Sequence, residues 1–355
     1  MKNLMFLLPL FIALQLSAQK NAKKIHEKAL VIDAHNDVLL NQMVSGVDLS
    51  KRLTTGYFDL VRAKEGGLDA QIFSIWCGDD YGKGRAFALA NRQIDSLYAL
   101  IDRNPDKIVL VRNSTDLKKV IAQNKMAALI GVEGGHMIED RVDYVDSLAK
   151  RGMCYLTLTW NHSTSWSTSA YDETFKRDSL PYLGLNSLGK QIVKRLNKLG
   201  VMVDVSHVGE RTFYDVLATT SKPVIASHSS VYAIAAHQRN LKDEQLKAIA
   251  KNGGVVFANF YSGFLDPTYK ESAQVRPPLS LLIKHIDYMV NLIGADHVGI
   301  GADFEGAESF PLGLDGVQDY PKITAALLDL NYSEKDINKI MGENLLRVLK
   351  ANAGK

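Results

Sequence analysis

Short β-branched runs alternate along the chain with longer amphipathic stretches, and this alternation predicts most of the architecture. Strands are predicted at residues 30–34, 70–76, 127–133, 155–160, 201–206, 223–227, 254–260 and 298–303. Helical periodicity occupies residues 85–103, 142–151, 187–199, 242–252 and 279–292, with Gly200 and Gly253 as C-terminal stops directly before strands. A further short strand at 108–112 and a helix from Thr115 read as a small insertion between the second and third main strands. Parallel strands need crossover helices, and eight βα units suffice to close a sheet, so the pattern predicts an α/β chain folded as a (β/α)8 TIM barrel. An open doubly wound sheet would carry a glycine-rich phosphate turn after its first strand. Here that strand runs instead into Asp33-Ala34-His35-Asn36-Asp37.

Composition narrows the class. With 46% hydrophobic and 23% charged residues in 355, the chain has the make-up of a packed globular protein rather than a disordered or fibrous one. The balance of 42 Lys+Arg against 39 Asp+Glu, with no basic run or basic stripe, argues against nucleic acid as a partner.

Residues 1–18 have one lysine, Lys2, then an apolar run over 4–14, then Ser17 and Ala18 before Gln19. This is the pattern of a signal peptide, and the run is shorter than the roughly 20 apolar residues of a spanning helix. The expectation is a mature single domain over 19–355, without a membrane anchor, exported to the periplasm or secreted. Cys77 and Cys154 fall at opposite ends of their predicted strands, so they would lie on opposite rims, too far apart to bridge; two free thiols are expected.

The chemistry concentrates at one end of the predicted units. His35, Asp37, Glu133, His207, His228 and Asp303 each lie at or just past the carboxyl end of a strand, which is the rim where barrels build their sites. His35 and Asp37 are two apart and can offer a nitrogen and an oxygen to one ion. Each residue alone also has a plain structural reading: a core histidine, a helix-capping group or a buried acid. Together, two histidines, a His/Asp pair and a carboxylate that spans both would give each of two cations three protein ligands. Nitrogen and carboxylate donors without thiolate suit zinc best, with manganese or cobalt as alternatives. Asp303 is left free to move protons.

In order and spacing these residues resemble the membrane dipeptidase (renal dipeptidase, M19 peptidase) family. The resemblance covers residues 29–349 and rests on DAHND at 33–37, GVEGGH at 131–136, YLTLT at 155–159, LGVMVDVSHV at 199–208, PVIASHSS at 223–230, Arg239-Asn240, ANFY at 258–261, VGIGADFEG at 298–306 and ENLLRV at 343–348. It implies a zinc-dependent dipeptidase using a hydroxide shared between two metal ions. His35 and Asp37 would hold one zinc, His207 and His228 the other, and Glu133 would bridge. The resemblance also implies proton transfer by Asp303 and recognition of the substrate's C-terminal carboxylate by Arg239, whose guanidinium fork matches a carboxylate.

The chain departs from the family where a histidine usually follows YLTLT: here stand Trp160, Asn161 and His162. By the two-residue period Trp160 and His162 share a face, so His162 is a candidate replacement and Trp160 and Asn161 are candidate substrate contacts. His136 and Tyr261 are near the site by motif, and Tyr261 is taken as a substrate contact. The tail lacks the hydrophobic extension of a glycolipid signal. A homodimer is left open. The rival readings are another amidohydrolase of the same barrel type, which often uses HxH and a modified lysine, and a binding protein that keeps the metal cage without turnover.

Overall fold

The computed structural model describes residues 21–273 and 275–353; the expected signal segment lies outside them. Nine parallel strands form one sheet: β1 (Ile32–Asn36), β2 (Ala70–Ile75), β3 (Ile108–Leu110), β4 (Met126–Glu133), β5 (Met153–Thr157), β6 (Met202–Asp204), β7 (Ile225–Ser229), β8 (Val255–Ala258) and β9 (Val298–Ile300). Eight follow one another around the barrel in the order β1-β2-β4-β5-β6-β7-β8-β9, and β3 hangs off β4 outside this ring. The insertion is therefore a flanking strand with its helix, Ser114–Ala122.

The two ends of the sheet meet just beyond β9. The Asp303 amide donates to the His35 carbonyl at 3.1 Å and the Asp37 amide donates to the Phe304 carbonyl at 3.0 Å. Below them, the Ala302 amide donates to Asp33 Oδ1 at 2.9 Å, while Asp33 Oδ2 accepts from Tyr320 Oη at 2.6 Å. A buried carboxylate thus ties the barrel seam to an outer helix.

Alternation along the strands separates two apolar layers. Ile32, Ile72, Leu129, Met202, Ile225 and Phe257 fill the barrel, whereas Val31, Phe73, Ala128, Val203, Ala226 and Val256 face the helices. The helices obey ordinary end rules: Asn186 caps Ser187–Leu199 by accepting from the amides of Leu188 and Gly189, and Gly200 at φ +75° ends it. Several strands stop earlier than expected, at Thr157, Asp204, Ala258 and Ile300, because the residues beyond them turn out of the ladder to form the mouth. Cys77 and Cys154 are buried and unpaired. Among the described residues no helix is long and apolar enough to cross a membrane.

Candidate metal centre

Glu133 sits at the centre of the mouth with its two carboxylate oxygens facing different histidines. Oε2 lies 3.4 Å from His35 Nε2; Oε1 lies 3.0 Å from His207 Nε2 and 3.4 Å from His228 Nε2. Asp37 Oδ2 stands 3.3 Å from His35 Nε2, on the Oε2 side. Ligand atoms of His35, Glu133 and His228 fall within 4.8 Å of one another, as do those of His35, Asp37 and Asp303, so Asp303 borders the first position. All six side chains are buried.

Backbone irregularity aims these groups. Glu133 follows the regular alternation of Ala127, Leu129 and Gly131 and points inward unaided. His35 and His228 do not: strict alternation from Ile32 and Ala34, or from Ile225, would send them toward the helices. The β1–β2 register shifts between Asp33 and Asn36 and the β7–β8 register between Ala226 and Ser229, and these shifts turn both histidines into the mouth. His207 has the outward parity of Val203 and Val205 and is reversed by a left-handed φ of +65°; Asp303 also has φ +62°. Each such conformation costs on the order of 1 kcal/mol, a burden typical of functional positions.

The donor set fits divalent cations. His35 Nε2 and Asp37 Oδ1 are buried without hydrogen-bond partners, and His207 and His228 present Nε2 atoms 3.0 Å apart toward the same carboxylate oxygen. Burial, reinforced by Arg239, pulls His207 down to about 4, and burial with the nearby His35 holds His228 well below the usual range, so both are neutral, as ligands must be. Burial opposes the charge on Glu133, yet His35, His207 and His228 outweigh it and hold the carboxyl well below its ordinary value. Burial pushes Asp303 up to about 8, with Asp37 and Glu133 adding to the rise against His35. Three carboxyl groups crowded into one buried mouth are the environment a pair of cations would neutralise.

Neighbouring residues orient the ligands. His35 Nδ1 is 2.7 Å from Tyr155 Oη, and a Cβ at Gly131 would strike the Tyr155 ring, so that glycine makes room for the contact. His228 Nδ1 is 2.7 Å from Ser227 Oγ. Asn259 Nδ2 donates to Asp303 Oδ2 at 2.9 Å. At Gly306 a Cβ would collide with both Asp37 Oδ2 and Asp303 Oδ1. Tyr155, Ser227, Asn259 and Gly306 have roles that no sequence pattern announced, although all four lie inside the quoted motifs; the signal was a polar or glycine position within an otherwise apolar strand end.

Of the remaining expected residues, Arg239 is buried, donates from Nη2 to the His228 carbonyl at 3.2 Å and leaves Nε unpartnered; burial lowers it to about 10. Trp160 lies 6.4 Å, ring to ring, from His207 and 4.8 Å from Trp76. Because β5 ends at Thr157, the two-residue period does not carry on to His162. Its Nδ1 lies 3.1 Å from Asp172 Oδ1 and its ring is edge-on to Tyr171. The Asn161 carbonyl accepts from Ser169 Oγ, Tyr261 packs edge-on against Phe264, and His136 Nε2 lies 3.0 Å from the Cys77 carbonyl. A hollow of about 720 Å³ lined by His26, Lys64, Asp69 and Lys125 lies at the amino-terminal face, away from all these groups.

The family model for membrane dipeptidase, peptidase family M19, matches residues 19–354. The chain belongs to the M19 family. Among solved structures, an amidohydrolase from Pseudomonas aeruginosa is 27% identical, with TM-score 0.78, covering 94% of this chain and 99% of that one. A metallopeptidase described as dipeptidase AC of family M19 is 26% identical, with TM-score 0.83 and coverage of 92% and 100%. A metallopeptidase from Rhodobacter sphaeroides, liganded with a phosphinate mimic of L-Ala-D-Ala, is 26% identical, with TM-score 0.82 and coverage of 92% and 99%. With the two oxygens of Glu133 facing the two groups of donors, this M19 chain is a zinc-dependent metallo-hydrolase acting on the peptide bond of dipeptides.

Proposed function

We propose that the chain cleaves dipeptides with a free C-terminal carboxylate, with Arg239 binding that carboxylate and Asp303 carrying the proton. When bound, the two cations supply Lewis acidity and make hydroxide available near neutral pH. Asp303 stands beside the first position, held by Asn259, and is suited to take a proton from water and pass it to the leaving amine. The buried, incompletely paired guanidinium of Arg239 supports carboxylate recognition, since an unfilled charged donor next to a ligand histidine calls for an anion. Trp160, Asn161 and Tyr261 border the substrate space, with Trp160 as the aromatic neighbour of His207. His162 acts on the loop through Asp172, and its replacement by alanine tests whether it also reaches the substrate: an unchanged kcat/KM removes it from the reaction.

The observation that carries this reading is Glu133, whose two oxygens serve opposite histidine sets. The test is a panel of dipeptides, including L-Ala-L-Ala, L-Ala-D-Ala and their amidated forms, assayed with and without a chelator. Hydrolysis of the free acids that the chelator abolishes is expected. Arg239→Met should lower kcat/KM about 10–100-fold on free acids, as expected for a charge-assisted pair of roughly 1.5–3 kcal/mol, and leave amides little changed. Equal loss on both would refute the assignment.

We also propose that residues 1–18 are removed on export from the cytoplasm, leaving a single domain over 19–355. The N-terminal sequence of protein recovered outside the cytoplasm tests this.

A further inference from the structure

The geometry assigns to Asp204 and Ser227 a positioning role: they form a hydrogen-bond relay that fixes His228 as the Nδ1–H tautomer and leaves its Nε2 lone pair for a divalent cation. The relay rests on the two-cation centre and adds how one of its ligands is set.

Hydrogen counting carries the argument. Ser227 Oγ lies 2.6 Å from Asp204 Oδ2 and 2.7 Å from His228 Nδ1, and all three residues are buried. A hydroxyl has one hydrogen to give. Asp204 can only accept, and it does so four times: Oδ1 from the amides of Ser206 at 3.0 Å and Ser227 at 2.9 Å, Oδ2 from Thr157 Oγ1 and Ser227 Oγ, both at 2.6 Å. The serine hydrogen therefore lies on Asp204, and Ser227 Oγ meets His228 as an acceptor. His228 Nδ1 must bring its own proton, so Nε2, which faces Glu133 Oε1, is bare. Ser206 Oγ, which accepts from the His228 amide, is the other acceptor within reach of the Ser227 hydroxyl, but at 3.3 Å and uncharged it competes poorly with the Asp204 carboxylate at 2.6 Å.

The other two histidines lack this enforcement. The Tyr155 hydroxyl, 2.7 Å from His35 Nδ1 and 3.3 Å from the Ala34 carbonyl, can donate to the ring or accept from it, and His207 Nδ1 has no partner. His228 alone has its tautomer set by a carboxylate acting through a hydroxyl. Its register-shifted backbone puts the ring in place, and the relay settles which nitrogen is free.

Asp204→Asn separates this role from packing because it preserves shape and reverses one hydrogen bond. The two amides anchor the amide oxygen at the Oδ1 position, so the new NH2 faces Thr157 and Ser227. Ser227 is then released to donate to His228 Nδ1, which drives the proton to Nε2 and blocks the ligand atom.

The experiment titrates the full-length, chelator-stripped chain with Zn2+ against a chromophoric competitor and reads the histidine tautomers of the metal-free protein by 15N NMR. The wild type is expected to bind two equivalents with His228 protonated at Nδ1. Asp204→Asn is expected to weaken one equivalent about 10–100-fold and to show His228 protonated at Nε2. Thr157→Val, which removes a donor to Asp204 without touching His228, should stay within about 2-fold of the wild type. Should Asp204→Asn fail to fold, Ser227→Ala serves: the fixed tautomer should be lost and one equivalent weakened about 10-fold. Wild-type zinc affinity in a folded variant, or weakened binding with His228 still protonated at Nδ1, would overturn the relay while leaving the centre standing. A wild-type chain that takes up no zinc would remove both.

Discussion

The amide of Asp303 donates to the carbonyl of His35, so the hydrogen bond that closes the barrel also joins the proposed proton carrier to a metal ligand. Asp37 repeats the arrangement one step on by donating to Phe304. The seam of the barrel and the first cation position are one structure, and damage to either should appear in both.

Gly306 tests that coupling. Its amide donates to the Asp303 carbonyl, and a Cβ there would press on Asp37 and Asp303 together. Gly306→Ala should lower the zinc content by up to one equivalent and reduce kcat at least 10-fold, with little change in far-UV circular dichroism. Metal analysis after gel filtration provides the check.

Asp303→Asn should keep the zinc bound and lose turnover. General acid–base transfer contributes about 10²–10⁴-fold, and kcat should fall within that range while KM changes little. Steady-state kinetics at matched zinc occupancy decide it. A variant that retains wild-type kcat would place the proton elsewhere.

The chelated protein should be less stable at alkaline pH. Asp303 titrates near 3.8 when unfolded and is pushed up to about 8 by burial in the fold, so the folded state favours its protonated form. That stabilisation is complete below about pH 4 and fades as pH rises toward and through 8. His35, raised above its ordinary value despite burial, adds in the same direction. Thermal melts in chelator should therefore show Tm falling from pH 6 to pH 9, more steeply in the wild type than in Asp303→Asn. Zinc-loaded protein should show a flatter profile, since the cations favour the ionised carboxylates.

Trp160 should shape substrate choice. It packs against Trp76 next to His207 in the segment after β5, whereas Arg239 rises from the loop after β7, two strands around the mouth. In the proposed binding mode, with the substrate carboxylate on Arg239, the amino-terminal side chain is placed toward this aromatic wall. Burying a large side chain contributes about 1.5–3 kcal/mol, so Trp160→Ala should cost roughly 10–100-fold in kcat/KM for dipeptides led by Phe or Leu. Those led by Gly should change little. Competition assays on mixed dipeptides measure the ratio.

Much of this was legible in the chain. The alternating runs and the glycine stops predicted the barrel, and the carboxyl-end placement of His35, Glu133, His207 and His228 brought them to one rim. What stayed hidden was the facing of side chains. Glu133 obeys the two-residue period; His35, His207 and His228 violate it and are turned inward by two register shifts and one left-handed residue. No local propensity announces such a shift, because the surrounding sheet imposes it. The same limit explains the expectation for His162: the period was carried past Thr157, where the strand has already ended. Ser227 and Tyr155 were passed over because a hydroxyl in an apolar strand has no evident role until the imidazole it touches is in view.

The bridging position of Glu133 is tested most directly by counting zinc in the purified chain and in Glu133→Gln by mass spectrometry, with dipeptide hydrolysis measured on the same samples. Two equivalents per wild-type chain are predicted, with at least one lost and hydrolysis abolished in the variant. A wild-type chain that hydrolyses dipeptides at full rate without zinc, or a variant that keeps both ions and its activity, would contradict the account.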